Sequence, residues 1–102
     1  ELAPVELTAS AHRMRWGGRV WITLTLTNPS DHLAFFVNPV LTRGPGGAEI
    51  LPTFWSDNYF SMPPGETKTV VAYVDPIRLE DEAAMVRIEG WNVTRTEVPT
   101  AR

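Results

Sequence analysis

The fold class this sequence predicts is all-β, an antiparallel sandwich, and three observations predict it. Apolar residues recur with a period of two in several runs, and each run is closed by proline, glycine, asparagine or aspartate. No stretch sustains a helical period. About seven short strands separated by turn signals correspond to a sandwich of immunoglobulin or fibronectin type. At 102 residues the chain holds one domain around one core, spanning 1–102.

An early strand is expected near Val5 to Ala11. The run "RVWITLTLTN" alternates strictly, with Val20, Ile22, Leu24 and Leu26 on one face and Trp21, Thr23, Thr25 and Thr27 on the other. It stops at Asn28-Pro29-Ser30-Asp31, where proline removes a ladder donor and the polar side chains can bond local backbone. "LAFFVNPVLTR", from Leu33 to Arg43, is β-rich, and Pro39 within it predicts an edge position or a bulge. Gly44-Pro45-Gly46-Gly47 then turns the chain.

From Ala48 to Trp55 the residues read as strand. Ser56-Asp57-Asn58 breaks it, with an Asx turn expected at Asp57, before Tyr59 to Ser61 resume extension. Pro63-Pro64-Gly65 fits a tight turn with Gly65 at positive φ. In "ETKTVVAYV", Val70, Ala72 and Val74 share one face, and "MVRIEGWNVT" places Val86 and Ile88 on one side. A helical turn is expected only in "RLEDEAAM", and Glu80-Asp81-Glu82 reads as a solvated turn.

Composition narrows the partners. With 43 % hydrophobic and 21 % charged residues the chain is neither disordered nor, for want of a long apolar run, a membrane-spanning helix. A net charge of -3 and a single lysine, Lys68, leave no basic stripe for nucleic acid. The absence of cysteine removes disulfides, thiol nucleophiles and thiolate metal sites. The chain begins Glu1-Leu2-Ala3-Pro4 without an export signal and reads as a piece of a longer protein, so the compartment stays open, a secreted or periplasmic parent included.

No residue pattern points to catalysis, a metal or a cofactor. His12 and His32 stand outside any ligand spacing, and no serine lies in a nucleophile elbow. Among the acids, Asp57, Glu66 and Glu89 are candidates for a carboxylate pair, but each has a structural reading in a turn or strand. Asn92-Val93-Thr94 is a formal N-glycosylation acceptor. The aromatic-rich "FWSDNYF" has two readings: Trp55 and Tyr59, with Trp91, could stack on sugar rings, or the rings could fill the space between sheets or a contact with another domain.

The stretch "LPTFWSDNYFSMPPGE", from Leu51 to Glu66, resembles the C-terminal immunoglobulin-like domain of family 2 glycoside hydrolases. The branch is that of exo-β-D-glucosaminidases and β-mannosidases, including the mannosylglycoprotein endo-β-mannosidase type. "LTNPSDHLAFFV" and "VRIEGWNV" agree with it, and Trp55 to Ser61 is its most specific part. The resemblance implies a non-catalytic sandwich that packs beside a separate (β/α)8 barrel carrying two catalytic glutamates. No catalytic residue, metal or cofactor is therefore expected here. Trp55, Asp57, Asn58, Tyr59 and Trp91 are the expected contacts to another domain of the parent glycosidase or to an oligosaccharide.

Overall fold

The computed structural model describes residues 3–79 and 84–101. Among them, eight strands follow one another as β1 (Thr8–Trp16), β2 (Arg19–Thr27), β3 (Ala34–Thr42), β4 (Phe54–Trp55), β5 (Phe60–Met62), β6 (Thr67–Val74), β7 (Met85–Glu89) and β8 (Thr96–Ala101). A short helix, α1 (Pro76–Leu79), lies between β6 and β7. Its start is prepared locally: Pro76 needs no donor there, and the Asp75 carboxylate accepts the Ile77 N–H at 3.1 Å.

The strands join in the order β4-β6-β2-β1-β8-β7-β3-β5, curling into two facing layers. β8 makes the handover. Thr96 to Pro99 pair antiparallel with β7, and Thr100 and Ala101 then pair parallel with β1. Both free edges are short, two residues in β4 and three in β5, which limits the open ladder available to another chain.

Alternation places the core as the sequence predicts. Val20, Ile22, Leu24 and Leu26 of β2 face Val70, Ala72 and Val74 of β6 on one layer. Val37 and Leu41 of β3, Val86 and Ile88 of β7, and Phe60 and Met62 of β5 supply the other. Val5, Leu7, Ile50 and Leu79 close the ends.

Four expectations are corrected. The first strand begins at Thr8 and runs to Trp16, because Gly17 and Gly18, both at positive φ, set its hairpin turn; Val5 makes only an isolated bridge to Val93. Ala48 to Trp55 is not a continuous strand: Pro52 cannot donate to a ladder, and the Thr53 hydroxyl bonds back to the Ile50 carbonyl at 2.7 Å. β8 adds a strand beyond the expected seven. It was obscured by Pro99, which the strand tolerates as it passes from one partner to the other. Asp57 forms no two-residue Asx turn, since its carboxylate accepts the N–H of the adjacent Asn58. Glu80-Asp81-Glu82 lies outside the described residues.

The proline reading of β3 resolves as a bulge near, not at, Pro39. Ala34 opposes Met62 and Val37 opposes Phe60, so three steps of β3 meet two of β5 and one residue is extruded between them. At the other end of β5, the Pro63-Pro64-Gly65 turn closes with Glu66 N–H donating to the Pro63 carbonyl at 3.1 Å, and Gly65 has φ 78°.

Two buried asparagines hold the turns. The Asn28 amide nitrogen donates to the His32 and Met62 carbonyls at 2.8 and 2.9 Å. Its oxygen accepts the Ser30 N–H and hydroxyl at 3.0 and 2.7 Å. Every donor and acceptor of the side chain is used. Replacing Asn28 by alanine takes this donor from the buried Met62 carbonyl and one of two donors from the His32 carbonyl, and should cost about 1–3 kcal/mol. Phe60→Ala, which empties a core position, should cost about 3–5 kcal/mol. Urea unfolding of the purified chain measures both, and a loss under about 1 kcal/mol for either contradicts the packing described.

Candidate functional site

The five expected contact residues separate. Trp55 is half-buried against the core, on β4 opposite Ala72. Asp57 is exposed and pairs with Lys68 at 3.2 Å, and Asn58 beside it is exposed as well. Tyr59 and Trp91, 63 % and 73 % exposed, come together from separate parts of the chain at one depression. Of the aromatic run, only Phe60 is buried in the sandwich, whereas Phe54 and Tyr59 are exposed.

The depression is open and encloses about 410 Å³. Phe36 joins Tyr59 and Trp91 in its wall, with Asn38, Glu89 and Arg95 as its polar groups. Phe36 is the residue extruded by the β3 bulge and is 51 % exposed. Its ring centre lies 6.1 Å from that of Trp91, the planes inclined at 57°. Both Phe36 and Tyr59 adopt the left-handed backbone region, with φ 54° and 51°. For bulky side chains this conformation costs about 1–3 kcal/mol each.

The surroundings hold that strain in place. Phe35 N–H donates to the Asn92 side-chain oxygen at 2.8 Å, and the Phe35 carbonyl accepts the Trp91 N–H at 3.0 Å. Asn92 in turn donates to the Ala3 and Leu33 carbonyls at 3.1 and 2.8 Å. With its amide engaged on three sides, Asn92 is a structural residue in the folded domain and not an open glycan acceptor. Gly90 is required beside it: a Cβ there would meet the Val93 side chain at 2.8 Å and the Phe35 carbonyl at 2.9 Å.

The polar side of the site is an ion cluster. The Glu89 carboxylate lies 3.1 Å from Arg95 Nη2 and 3.3 Å from Arg87 Nε. The Arg87 contact is within ion-pair distance but poorly aligned, and that buried Nε has no hydrogen-bond partner. Two cations on one carboxylate suit anchoring more than proton transfer. Asp57 is likewise engaged by Lys68, and Glu66 sits at the exit of the Pro-Gly turn, so the three acids considered from the sequence take separate structural places.

A second aromatic surface lies on the outer face of the other layer. Met14 stands opposite Trp21, Trp21 opposite Tyr73, and Tyr73 opposite Phe54, a transverse row across four strands. Phe54 stacks on Tyr73 at 4.9 Å, Trp21 lies 5.3 Å from it, and the Arg19 guanidinium sits 4.1 Å from the Tyr73 ring centre. Trp16, 70 % exposed, extends the row at the hairpin tip, where its carbonyl accepts the Trp21 indole N–H. The rest of that face is rich in threonine, as at the pairs Thr25–Thr69 and Thr27–Thr67.

Sequence reasoning missed Phe36, Asn38 and Arg95 as wall residues and the transverse row altogether. The Phe35-Phe36 doublet inside a strand was an available signal, since adjacent residues cannot both face the core. The row was not, because it depends on inter-strand register.

Comparison with known proteins adds a further finding. Residues 1–93 match the family described as the exo-beta-D-glucosaminidase Ig-fold domain. The chain is 37 % identical over 84 residues to an exo-beta-D-glucosaminidase of Amycolatopsis orientalis, covering 80 % of this chain and 8 % of that protein. It is 35 % identical over 82 residues to one of Arthroderma benhamiae, covering 79 % and 9 %. Its fold superposes on the crystal structure of the Amycolatopsis orientalis exo-chitosanase CsxA with a TM-score of 0.89 at 33 % identity, over 96 % of this chain and 12 % of that one. The chain therefore spans about a tenth of the length of the relatives it matches.

Because Gly90 leaves no room for a methyl group against backbone, Gly90→Ala should cost about 1–3 kcal/mol and shift the Phe36 and Trp91 resonances. Thermal unfolding with two-dimensional NMR checks it, and a variant with unchanged stability and spectrum would show that the Phe35–Trp91 approach is not constrained as described.

Proposed function

Since the chain belongs to the exo-β-D-glucosaminidase Ig-fold domain family, we propose that it serves as a non-catalytic accessory domain, C-terminal in its parent, that packs beside the catalytic part of a larger retaining glycosidase. The single observation that carries this reading is the alignment of nearly the whole chain, 96 %, within a relative of which it forms only 12 %. Asp57, Glu66 and Glu89, the acids weighed as a carboxylate pair, are instead taken up by lysine, a turn and two arginines. We assign the parent a β-linked glucosaminide substrate and not a mannoside, because the relatives described above are exo-β-D-glucosaminidases.

The outer row Met14-Trp21-Tyr73-Phe54, with Trp16 and Arg19, is the face we assign to the contact with the parent's other domains. Trp, Tyr, Met and Arg are the side chains enriched at the centres of protein interfaces, and the polar threonines beside them suit a rim. A second role, contact with oligosaccharide, is favoured by the strained, exposed aromatics of the Phe36–Trp91 depression.

Two outcomes are expected. The isolated domain should hydrolyse no aryl-β-glucosaminide, and turnover that survives purification but vanishes on Asp57→Ala or Glu66→Ala would refute the non-catalytic assignment. Trp16→Ala should change the isolated domain's stability by less than about 0.5 kcal/mol, as exposed substitutions do, yet lower the melting temperature of the full-length enzyme by several degrees. Equal, small effects in both contexts would remove the outer row from the interface.

A further inference from the structure

The depression between Phe36, Tyr59 and Trp91 combines features that core packing does not explain. Two of its three aromatic residues sit in left-handed backbone, a conformation that bulky side chains rarely adopt. Their rings are turned to solvent, so neither gains core burial in return. The bulge that extrudes Phe36 is fixed by bonds from Phe35 to Trp91 and Asn92, and buried Ala34 and Val37 flank it. Strained residues held rigidly at a surface point to a ligand.

The chemistry of the wall defines that ligand. A volume of about 410 Å³ falls within the small-molecule range of roughly 300–1,000 Å³. Phe36 and Trp91, inclined at 57°, form a cleft and not a flat platform, which suits a single soluble chain more than the face of an insoluble polymer. Aromatic faces accept the C–H side of a pyranose ring. Asn38 can donate and accept, Glu89 accepts and Arg95 donates, a set matched to sugar hydroxyl and amide groups. One carboxylate, Glu89, faces two guanidinium groups, Arg87 and Arg95, so this charged cluster carries one net positive charge. A protonated amino sugar is disfavoured there.

We propose that the Phe36–Tyr59–Trp91 depression is a binding site for uncharged pyranose units of a β-linked oligosaccharide, N-acetylated amino sugars in preference to free amino sugars. The assignment rests on reading the parent as a glycosidase of β-linked amino sugars. It adds to the domain a site that holds acetylated stretches of a chain, and the site does not depend on the outer row.

The test is an NMR titration of the purified 102-residue chain with N-acetylated chitotetraose and, separately, with its fully deacetylated counterpart at a pH where the amines are protonated. The acetylated tetramer should move the Trp91 indole resonance and bind at least about tenfold tighter than the deacetylated one, a difference of about 1.4 kcal/mol. Trp91→Ala should weaken binding at least tenfold with the fold intact, and Trp16→Ala should leave affinity unchanged. Phe36→Gly, which suits the left-handed backbone but removes the ring, should keep or raise the melting temperature while weakening binding. The proposal is overturned by a flat titration at millimolar sugar, by equal or tighter binding of the deacetylated tetramer, or by binding that survives Trp91→Ala. It is also overturned if the Trp91 indole, in the full-length enzyme, proves shielded from acrylamide quenching without sugar, because another domain then occupies the cleft. Hydrolysis of aryl-β-glucosaminides by the full-length enzyme is measured alongside: its absence would sink the parent assignment alone, and a flat titration with hydrolysis intact would sink this proposal alone.

Discussion

The buried carboxamide of Asn92 is the interaction on which most of this structure depends. Its three side-chain bonds join the N-terminal segment at Ala3, the entry to β3 at Leu33 and Phe35, and the loop between β7 and β8. Around it, Val5 N–H donates to the Asn92 carbonyl at 2.8 Å and Thr94 N–H to the Val5 carbonyl at 2.9 Å. The groups facing its nitrogen are carbonyl oxygens and the group facing its oxygen is an N–H, so the orientation of the amide follows from its partners. Segments far apart in sequence thereby meet at one point. Burial of such a group is tolerable only when it is satisfied, and satisfying it dictates the backbone on three sides.

Asn28 does the same at the other turn. Its side chain reaches from the end of β2 to the Met62 carbonyl at the end of β5, while its backbone exchanges bonds with Gly65 and Glu66. The two amides therefore fix the entry to β3, Asn28 through His32 and the β5 partner Met62, and Asn92 through Leu33 and Phe35. Just beyond that entry the strand has one residue too many for its β5 partner, and the excess emerges as Phe36. The exposed ring is thus a consequence of how the sandwich is closed and not an ornament on a finished fold.

Strand composition made most of the fold readable. Val20, Ile22, Leu24 and Leu26, then Val70, Ala72 and Val74, alternate because each strand has one dry face, and burial follows that alternation. The Pro63-Pro64-Gly65 turn was legible for a local reason as well, since proline fixes a negative φ and glycine is free to take a positive one. What escaped was non-local. β8 carries Pro99 and changes partner midway, a circumstance that no pattern within Thr96 to Ala101 encodes. Within the candidate site, Tyr59 and Trp91 were legible only as expected contacts to sugar or to another domain, and their meeting with Phe36 depends on the bulge and on Asn92. The formal glycosylation triplet shows the reverse error of local reading: the motif is present, and the tertiary structure has already spent its amide.

The two aromatic surfaces differ in a way that bears on their roles. The outer row stands on regular strands in register, where its cross-strand aromatic pairs support the sheet. The Phe36–Trp91 depression is instead built from irregular backbone, with Gly90 packed too closely for any other residue and Phe35 bonded on both sides. Its rings are already oriented in the free domain, so a ligand would have little left to order on arrival, and contacts there would translate into affinity with a small conformational loss. Asn92 couples that readiness to folding itself: loosening the amide would disturb the site and the sandwich together, whereas the ring of Trp91 can be removed without touching either sheet.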